Sequence, residues 1–520
     1  MLLRHLGSSV HGWQRIAPGP HPWWAAGVAT AALGVPLAVT LAAGQPLLAA
    51  PATFGALANL YGRTEPYARR WRTQAWTGLG LTGAVLLGGV AAALPLTGWL
   101  DVLVPALAVA VVAVVAKFVT DAVRTGPPGG LIPVFAAGTL TVEPLGFRDL
   151  PLVAVVTLTC AALAVALSCA AGVLRPDGPE RNAVARALRS VLAALADPRV
   201  RPRASADLHA AWGVLSLSAL GCAGRHGGWL AHAERVLDAG ADPRPLSSAL
   251  SALEGRGSLP SAPLTRGVRA ELLGRESALP RWRAVRALRA ERVLVVPALR
   301  VGIACTAAVV VASVLGLGHT YWAAVGAAAA LQSQSSRNTA QRALQRSAGT
   351  LLGVGVAAVL VPLATDDARL WLLTVVCMFG VEFCMPRNYA LGSVSITALS
   401  LLLTRLGTNG TGISTLIADR VADTGVGVLV GVLVAVLVRN RHAGAALEDA
   451  AGALHRSSAG HDPQALRRDL LGLREARTRL CEDDWRLPAP RAALDEAEEV
   501  GYRRLGDLLR RSGEGRNLSA

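Results

Sequence analysis

The residues able to do chemistry in this chain are polar groups set singly into long apolar runs. Glu382 stands among Val376, Cys377, Phe379 and Phe383, just ahead of Arg387-Asn388. Gln332 and Gln334 end another apolar run, Lys117 and Asp121 close a third, and Asp419, Arg420 and Asp423 open the last. Ionisable groups inside a hydrocarbon layer are costly, so they mark a solute pathway or polar packing between helices. Glu382 is the sharpest of them, because a carboxyl whose access changes from one side to the other can couple proton entry to solute exit. Its plainer reading is an internal ion pair, for instance with Arg387. Arg337, Arg342 and Arg346 follow the run that ends at Leu331. Such a cluster sets topology and anchors anionic headgroups, and it can also draw organic anions toward a vestibule. On that second reading Gln332 and Asn388 orient the anion, Gln334 is a further pathway residue, and Arg420 and Asp423 are polar partners between helices.

Other chemistries lack their residues. The seven cysteines contain no CxxC pair, the ten histidines no HExxH or HxxxH, and neither a Walker loop nor a GxSxG elbow occurs. No catalytic residue, cofactor or metal is therefore expected, and buried free thiols are the reading for the cysteines.

The elements that must position these groups are membrane helices. The 520 residues are 52% hydrophobic and 17% charged, with 4% aromatics and 54 glycines, and the mean hydropathy is +0.42. Small-residue helices in lipid have this composition. The net charge of +16 is carried almost wholly by arginine, Lys117 being the single lysine. These arginines cluster beside apolar runs, where the positive-inside rule needs them, so nucleic acid is not an expected partner. Apolar segments at about 23–43, 46–61, 75–94, 101–119, 131–147 and 150–174, then 293–315, 320–336, 349–363, 370–385, 389–405 and 417–438, predict twelve spans as six plus six. No removable signal peptide precedes the first, which is the expected anchor. Arg63, Arg69, Arg70 and Arg72 after the second span, and Arg337, Arg342 and Arg346 after the eighth, are read as cationic cytoplasmic loops, with both termini inside. Arg148, Arg369, Arg405 and Arg420 fall on the outer side and weaken the bias without reversing it. Tyr321 and Trp322 read as interfacial belt residues.

One fixed offset lays Gly44 on Gly318, Ala49 on Ala323, Arg63 on Arg337 and Arg72 on Arg346. A duplicated six-helix unit, repeated in parallel, is one way to build a transporter with a pathway between halves. Five regions result: a cytoplasmic N-terminus (1–22), a first transmembrane block (23–174), a cytoplasmic helical region (175–292), a second block (293–438) and a cytoplasmic helical tail (439–520). In the tail, Leu466, Leu470, Leu473 and Leu480 form an amphipathic face, read first as packing within its own domain and second as a dimer contact. Gly349 and Gly353, and Gly427 and Gly431, have the spacing of close helix packing.

Tyr321-Trp322-Ala323-Ala324, Leu331-Gln332, Arg342-Ala343-Leu344-Gln345-Arg346 with Gly349-Thr350 and Gly353, Arg387-Asn388-Tyr389-Ala390-Leu391, and Arg420-Val421-Ala422-Asp423-Thr424 with Gly427 together resemble the landmarks of the FUSC family. These are fusaric-acid-resistance-like integral membrane proteins, related to aromatic carboxylic acid exporters. The resemblance covers about 295–440 and is weaker over 20–175. The chain departs from the pattern at Ser333-Gln334-Ser335-Ser336, where members have a longer apolar segment and a proline after the glutamine. The resemblance implies an inner-membrane permease with paired six-helix blocks and cytoplasmic helical domains, in a family whose studied members export aromatic or other organic acids.

The expectation is thus an all-α, polytopic, multi-pass protein of the bacterial cytoplasmic membrane, exporting small organic acids on the proton gradient. Its partners would be the lipid bilayer and the organic-acid substrate, with a homodimer and a periplasmic adaptor-type partner left open. A passive organic-anion channel and a scaffold recruiting cytoplasmic or envelope partners are the competing readings. An integral-membrane enzyme would need a constellation this sequence lacks.

Overall fold

The computed structural model describes residues 23–123, 125–126, 128–197, 200–218, 220–255, 259–260, 292–331, 336–385, 387–407, 413–438, 442–483 and 491–517. Among them the chain forms nineteen α-helices and no strand, as lipid demands of a backbone that must satisfy its own hydrogen bonds. The first apolar set comprises α1 (Trp23–Ala42), α2 (Ala49–Ala56) between 3-10 turns at Pro46–Leu48 and Leu57–Leu60, α3 (Tyr67–Ala93), α4 (Trp99–Val123), α5 (Leu131–Leu140) and α6 (Leu150–Leu174). The second comprises α11 (Arg292–Val314), α12 (Tyr321–Leu331), α13 (Ser336–Leu363), α14 (Asp367–Cys384), α15 (Tyr389–Gly407) and α16 (Ile413–Leu437). Between them lie α7 (Gly178–Ala196), α8 (Arg201–Ser216), α9 (Leu220–Ala239) and α10 (Arg244–Glu254). After them come α17 (His442–Ala459), α18 (Pro463–Asp483) and α19 (Arg491–Asn517).

The twelve expected spans all form helices, but among the described residues only six are long and apolar enough to cross a membrane: α1, α3, α4, α6, α11 and α16. A crossing takes about 20 apolar residues. The apolar stretches around α2, in α5, α12 and α15 and in the second part of α13 are shorter. Helix α14 has 18 residues and carries Asp367, Arg369 and Glu382. The short helices are interior parts: all eight residues from Tyr321 to Ala328 are buried. Tyr321 and Trp322, at 3% and 1% exposure, are therefore core residues and not an interfacial belt.

The two sets pack alike. Helix α2 lies on α6 as α12 lies on α16, and α3 lies on α5 as α13 lies on α15. Between the sets the contacts are reciprocal: α1 meets α14, and α4 meets α11, so the first helix of each set meets the fourth of the other. Two copies facing each other about a two-fold axis make this pattern. The turn after the first helix corrects the offset read from sequence. Gly44 and Gly316 both have positive φ, at 63° and 72°, and each closes a helix C-terminus with a hydrogen bond from the following N–H to a carbonyl five residues back (Gln45 to Thr40, Leu317 to Ala312). Gly44 thus corresponds to Gly316. Gly318 is instead a close approach, where a Cβ would sit 2.7 Å from Asp419 Oδ2.

The cationic segments also differ from expectation. Arg69, Arg70 and Arg72 lie in the first turns of α3, and Arg337, Arg342 and Arg346 in the first turns of α13. They are helical entries and not loops, because Arg, Ala, Leu and Gln are good helix formers and nothing in either stretch breaks a helix.

Helices α7–α10 close on a core that includes Leu188, Trp212, Trp229, Leu230 and Leu246. In the tail Leu466, Leu470 and Leu473 are buried against Leu447, Leu454, Leu494 and Leu505, so that face packs within its own domain. The Leu480 side chain lies outside the described residues. The two bundles touch: α9 meets α19, and Arg467 on α18 pairs with Glu234 on α9 at 2.8 Å. Glu234 also accepts from Trp212 Nε1 at 2.8 Å.

Candidate functional site

A cavity of about 300 Å³ opens where the two helix sets face each other. The first set contributes Thr53, Phe54, Phe135 and Glu143, and the second His319, Tyr321, Glu382, Ser400, Thr404 and Arg420, with leucine, isoleucine and valine side chains between. Phe54 meets Phe135 edge-on at 5.4 Å, and Phe135 stacks with Tyr321 at 6.4 Å, so an aromatic series runs from one set to the other. Close packing holds this wall in place. A Cβ at Gly427 would come 2.2 Å from Ala323 O, and Cβ atoms at Gly349 and Gly353 would come 2.6 and 2.7 Å from Ser393 and Thr397. Glycine lets α16 close on α12 and α13 close on α15 there.

The wall carries two groups of ionisable residues. Glu382, in the last turn of α14, is 5% exposed and forms an ion pair with Arg63, from the segment between the second 3-10 turn and α3. Arg63 also donates from Nε to Asn59 O at 3.4 Å. Arg387, the partner suggested by sequence, lies instead over the Phe383 ring at 4.6 Å. The second group surrounds Arg420. There the Arg420 guanidinium sits 4.6 Å over the Trp322 ring, and His319 stacks on the same indole at 5.0 Å. His319 Nδ1 lies 2.9 Å from Asp419 Oδ2. Asp423, one turn beyond Arg420, is 0% exposed, and neither carboxylate oxygen has a hydrogen-bond partner among the described residues.

The structure brings Glu382 and Arg420 to one cavity and places Asp423 behind Arg420. Asn388 serves α15 as its N-cap, its Oδ1 accepting from the N–H groups of Ala390 and Leu391 at 2.9 and 3.3 Å, and it does not line the cavity. Gln332 and Gln334 lie outside the described residues, as do the side chains of Arg337, Arg342 and Arg346. Lys117 pairs with Asp121 at 2.9 Å within α4. The five described cysteines, Cys160, Cys169, Cys305, Cys377 and Cys384, are free. Sequence reasoning missed Phe54, Phe135, Glu143 and His319. Their signal was rarity: in a chain with six phenylalanines, one stands in each of the short apolar runs that form α2 and α5.

Comparison with known proteins bears on the second helix set. Residues 306–434 match the family model described as fusaric acid resistance protein-like. An uncharacterized membrane protein, YvaC, of Bacillus subtilis (strain 168) is 30% identical over 128 residues, 25% of this chain and 20% of that relative. The match thus spans a fifth of the relative's length. No solved structure matches. Helices α11–α16 carry the matched residues and half of the cavity wall, so the likeness of this all-α polytopic membrane protein to the fusaric acid resistance protein-like family lies in its second helix set.

Proposed function

We propose that this chain is a secondary transporter of the bacterial cytoplasmic membrane that exports small aromatic or amphipathic organic acids on the proton gradient, with both termini in the cytoplasm. The observation that carries the reading is the cavity between the helix sets, with an apolar and aromatic wall, a carboxylate–arginine pair and a separate guanidinium. An aromatic carboxylate has the matching halves, a ring for Phe54, Phe135 and Tyr321 and an anion for Arg420. No nucleotide-binding loop is present in the sequence, so the energy source is a gradient, and one charge moved through 100 mV is worth about 2.3 kcal/mol.

The Arg63–Glu382 pair joins the first helix set to the second; in this reading it marks the inner end and acts as a latch. Protonation of Glu382 by a proton entering from outside removes the negative charge and releases Arg63. The inner end then opens, the anion enters under the attraction of the Arg337, Arg342 and Arg346 entry, and the proton leaves to the cytoplasm. Re-ionised Glu382 recaptures Arg63 behind the anion. Each cycle moves a proton in and an anion out.

Proteoliposomes loaded with a panel of radiolabelled benzoate, salicylate and hydroxybenzoates test the reading. Efflux should exceed that of protein-free liposomes and run uphill when the outside is made acidic. Phe135→Trp, which fills the cavity, should reduce it at least tenfold without lowering the amount of inserted protein. Efflux that runs only downhill would make the protein a channel, and no movement of any of these acids by folded protein would end the transport reading.

A further inference from the structure

On the transport reading above, we propose that Asp423 is the proton-linked partner of the anion site, and that its protonation state sets how strongly Arg420 holds a carboxylate. Two buried polar groups beside Arg420 lack a hydrogen-bond partner among the described residues: the Asp423 carboxylate, both oxygens included, and Trp322 Nε1. Arg420 lies over that same Trp322 ring and on the cavity wall. A donor and an acid left open near one guanidinium are what an anion site needs when empty. The indole N–H and the guanidinium can both donate to a carboxylate, and the acid can adjust its own charge.

An ionised carboxylate enclosed without a donor is costly, and it can be relieved either by a proton or by a nearby positive charge. Asp423 is one helical turn from Arg420 and feels its charge. When Asp423 is ionised, the two charges compensate each other and a substrate anion is opposed. When Asp423 carries a proton, the Arg420 charge is available to the cavity. With the cavity open to one side only, anion binding therefore takes up a proton, passed from a hydronium ion to an Asp423 oxygen as one hydronium O–H bond breaks to leave water and the acid O–H bond forms, and dissociation to that same side gives it back by breaking that bond with the electron pair left on oxygen. The other ionisable groups around Asp423 are Asp419 on the same helix, already engaged with His319, and Tyr321 on α12, whose phenol pairs with the Thr404 hydroxyl and lies near Glu143. On the remaining packed helices, α11 carries Arg300 and Cys305, and Cys305 donates to Ala324 O at 3.5 Å. The α13 arginines are Arg337, Arg342 and Arg346.

Benzoate binding to the full-length protein in detergent, followed by isothermal titration between pH 5.5 and pH 8 in two buffers of different ionisation heat, tests the linkage. Wild type should bind more weakly as pH rises, by up to about tenfold per unit for one linked proton, and should take up protons on binding. Asp423→Asn, a fixed stand-in for the protonated acid, should bind as tightly as wild type at pH 5.5 and lose the slope. Asp419→Asn should keep it. A wild-type slope retained in Asp423→Asn overturns the assignment of Asp423 alone. An absence of benzoate binding by wild type at every pH overturns the anion site and the reading it rests on. Should Asp423→Asn fail to accumulate, Asp423→Ser serves for the same slope, and infrared difference spectra of wild type must show a protonated carboxyl band on benzoate binding that this variant lacks. No such band in wild type also overturns the proposal.

Discussion

Arg63 and Glu382 stand 319 residues apart and meet as an ion pair, and they show what a single polar residue in an apolar run can mean. The Arg63 side chain is 34% exposed while that of Glu382 is 6% exposed. The pair is therefore screened on one side, and its loss should cost only about 1 kcal/mol of stability. Its larger effect is on the link between the helix sets. Glu382→Gln should insert at normal levels, exchange substrate down its gradient, and lose at least ten of every eleven parts of the acceleration that an acidic exterior gives wild-type efflux. Arg63→Gln should leave the inner end unlatched and raise downhill leak. Efflux normalised to inserted protein, with and without an imposed pH gradient, measures both. An unchanged pH-driven component in Glu382→Gln would remove that carboxyl from the mechanism. The residue itself was legible in the sequence, because a carboxylate in lipid stands out. Its partner was not, because only the approach of the two sets selects Arg63 over the neighbouring Arg387, which Phe383 occupies instead.

At the scale of helices, lipid makes existence easy to read and length hard. The backbone must be helical wherever the chain is apolar, so all twelve apolar segments were foreseen. Their ends were not, since α3 and α13 begin in arginine-rich stretches that read as loops. Nor could the sequence distinguish a lipid-facing helix from an enclosed one, because Leu, Val and Ala serve both. Helix α12 is enclosed, and its Tyr321 and Trp322 line or support the cavity. What encloses it is small residues, and two glycines on α16 separate that role from helix propensity. At Gly427 a Cβ would lie 2.2 Å from Ala323 O, whereas at Gly425 nothing lies within 4 Å. Gly427→Ala should cost about 1–3 kcal/mol through overpacking and lower the melting temperature in detergent. Gly425→Ala should leave it unchanged or slightly raise it, since alanine is the better helix former. Equal melting temperatures for the two variants would mean that α16 does not rest on α12 this closely.

Over the whole molecule, the reciprocal contacts of α1 with α14 and α4 with α11 make the cavity a property of two sets, which neither builds alone. The two helical bundles outside the apolar sets constrain how those sets lie in the membrane. Helix α7 begins four residues after α6 ends, α17 five residues after α16 ends, and the bundles they open meet through Arg467 and Glu234. The exits of α6 and α16 must therefore be on one side. An even number of crossings by the second set satisfies this, and with all six helices crossing the entry of α13 lies on the side of those exits. For the side, the positive-inside rule predicts the cytoplasm, since Arg69, Arg70 and Arg72 open α3 and Arg337, Arg342 and Arg346 open α13. In a background with the native cysteines replaced, thiols introduced at the exposed positions Ser247 and Ala459 should react with an impermeant maleimide only after the cells are permeabilised. Thiols at Thr97, in the turn after α3, and at Ala368, in the first turn of α14, should react in intact cells. Reversal of both pairs would invert the molecule and turn the same cavity toward uptake. Labelling that separates Ser247 from Ala459 would break the contact between the bundles, and with it the argument that ties the two halves to one side.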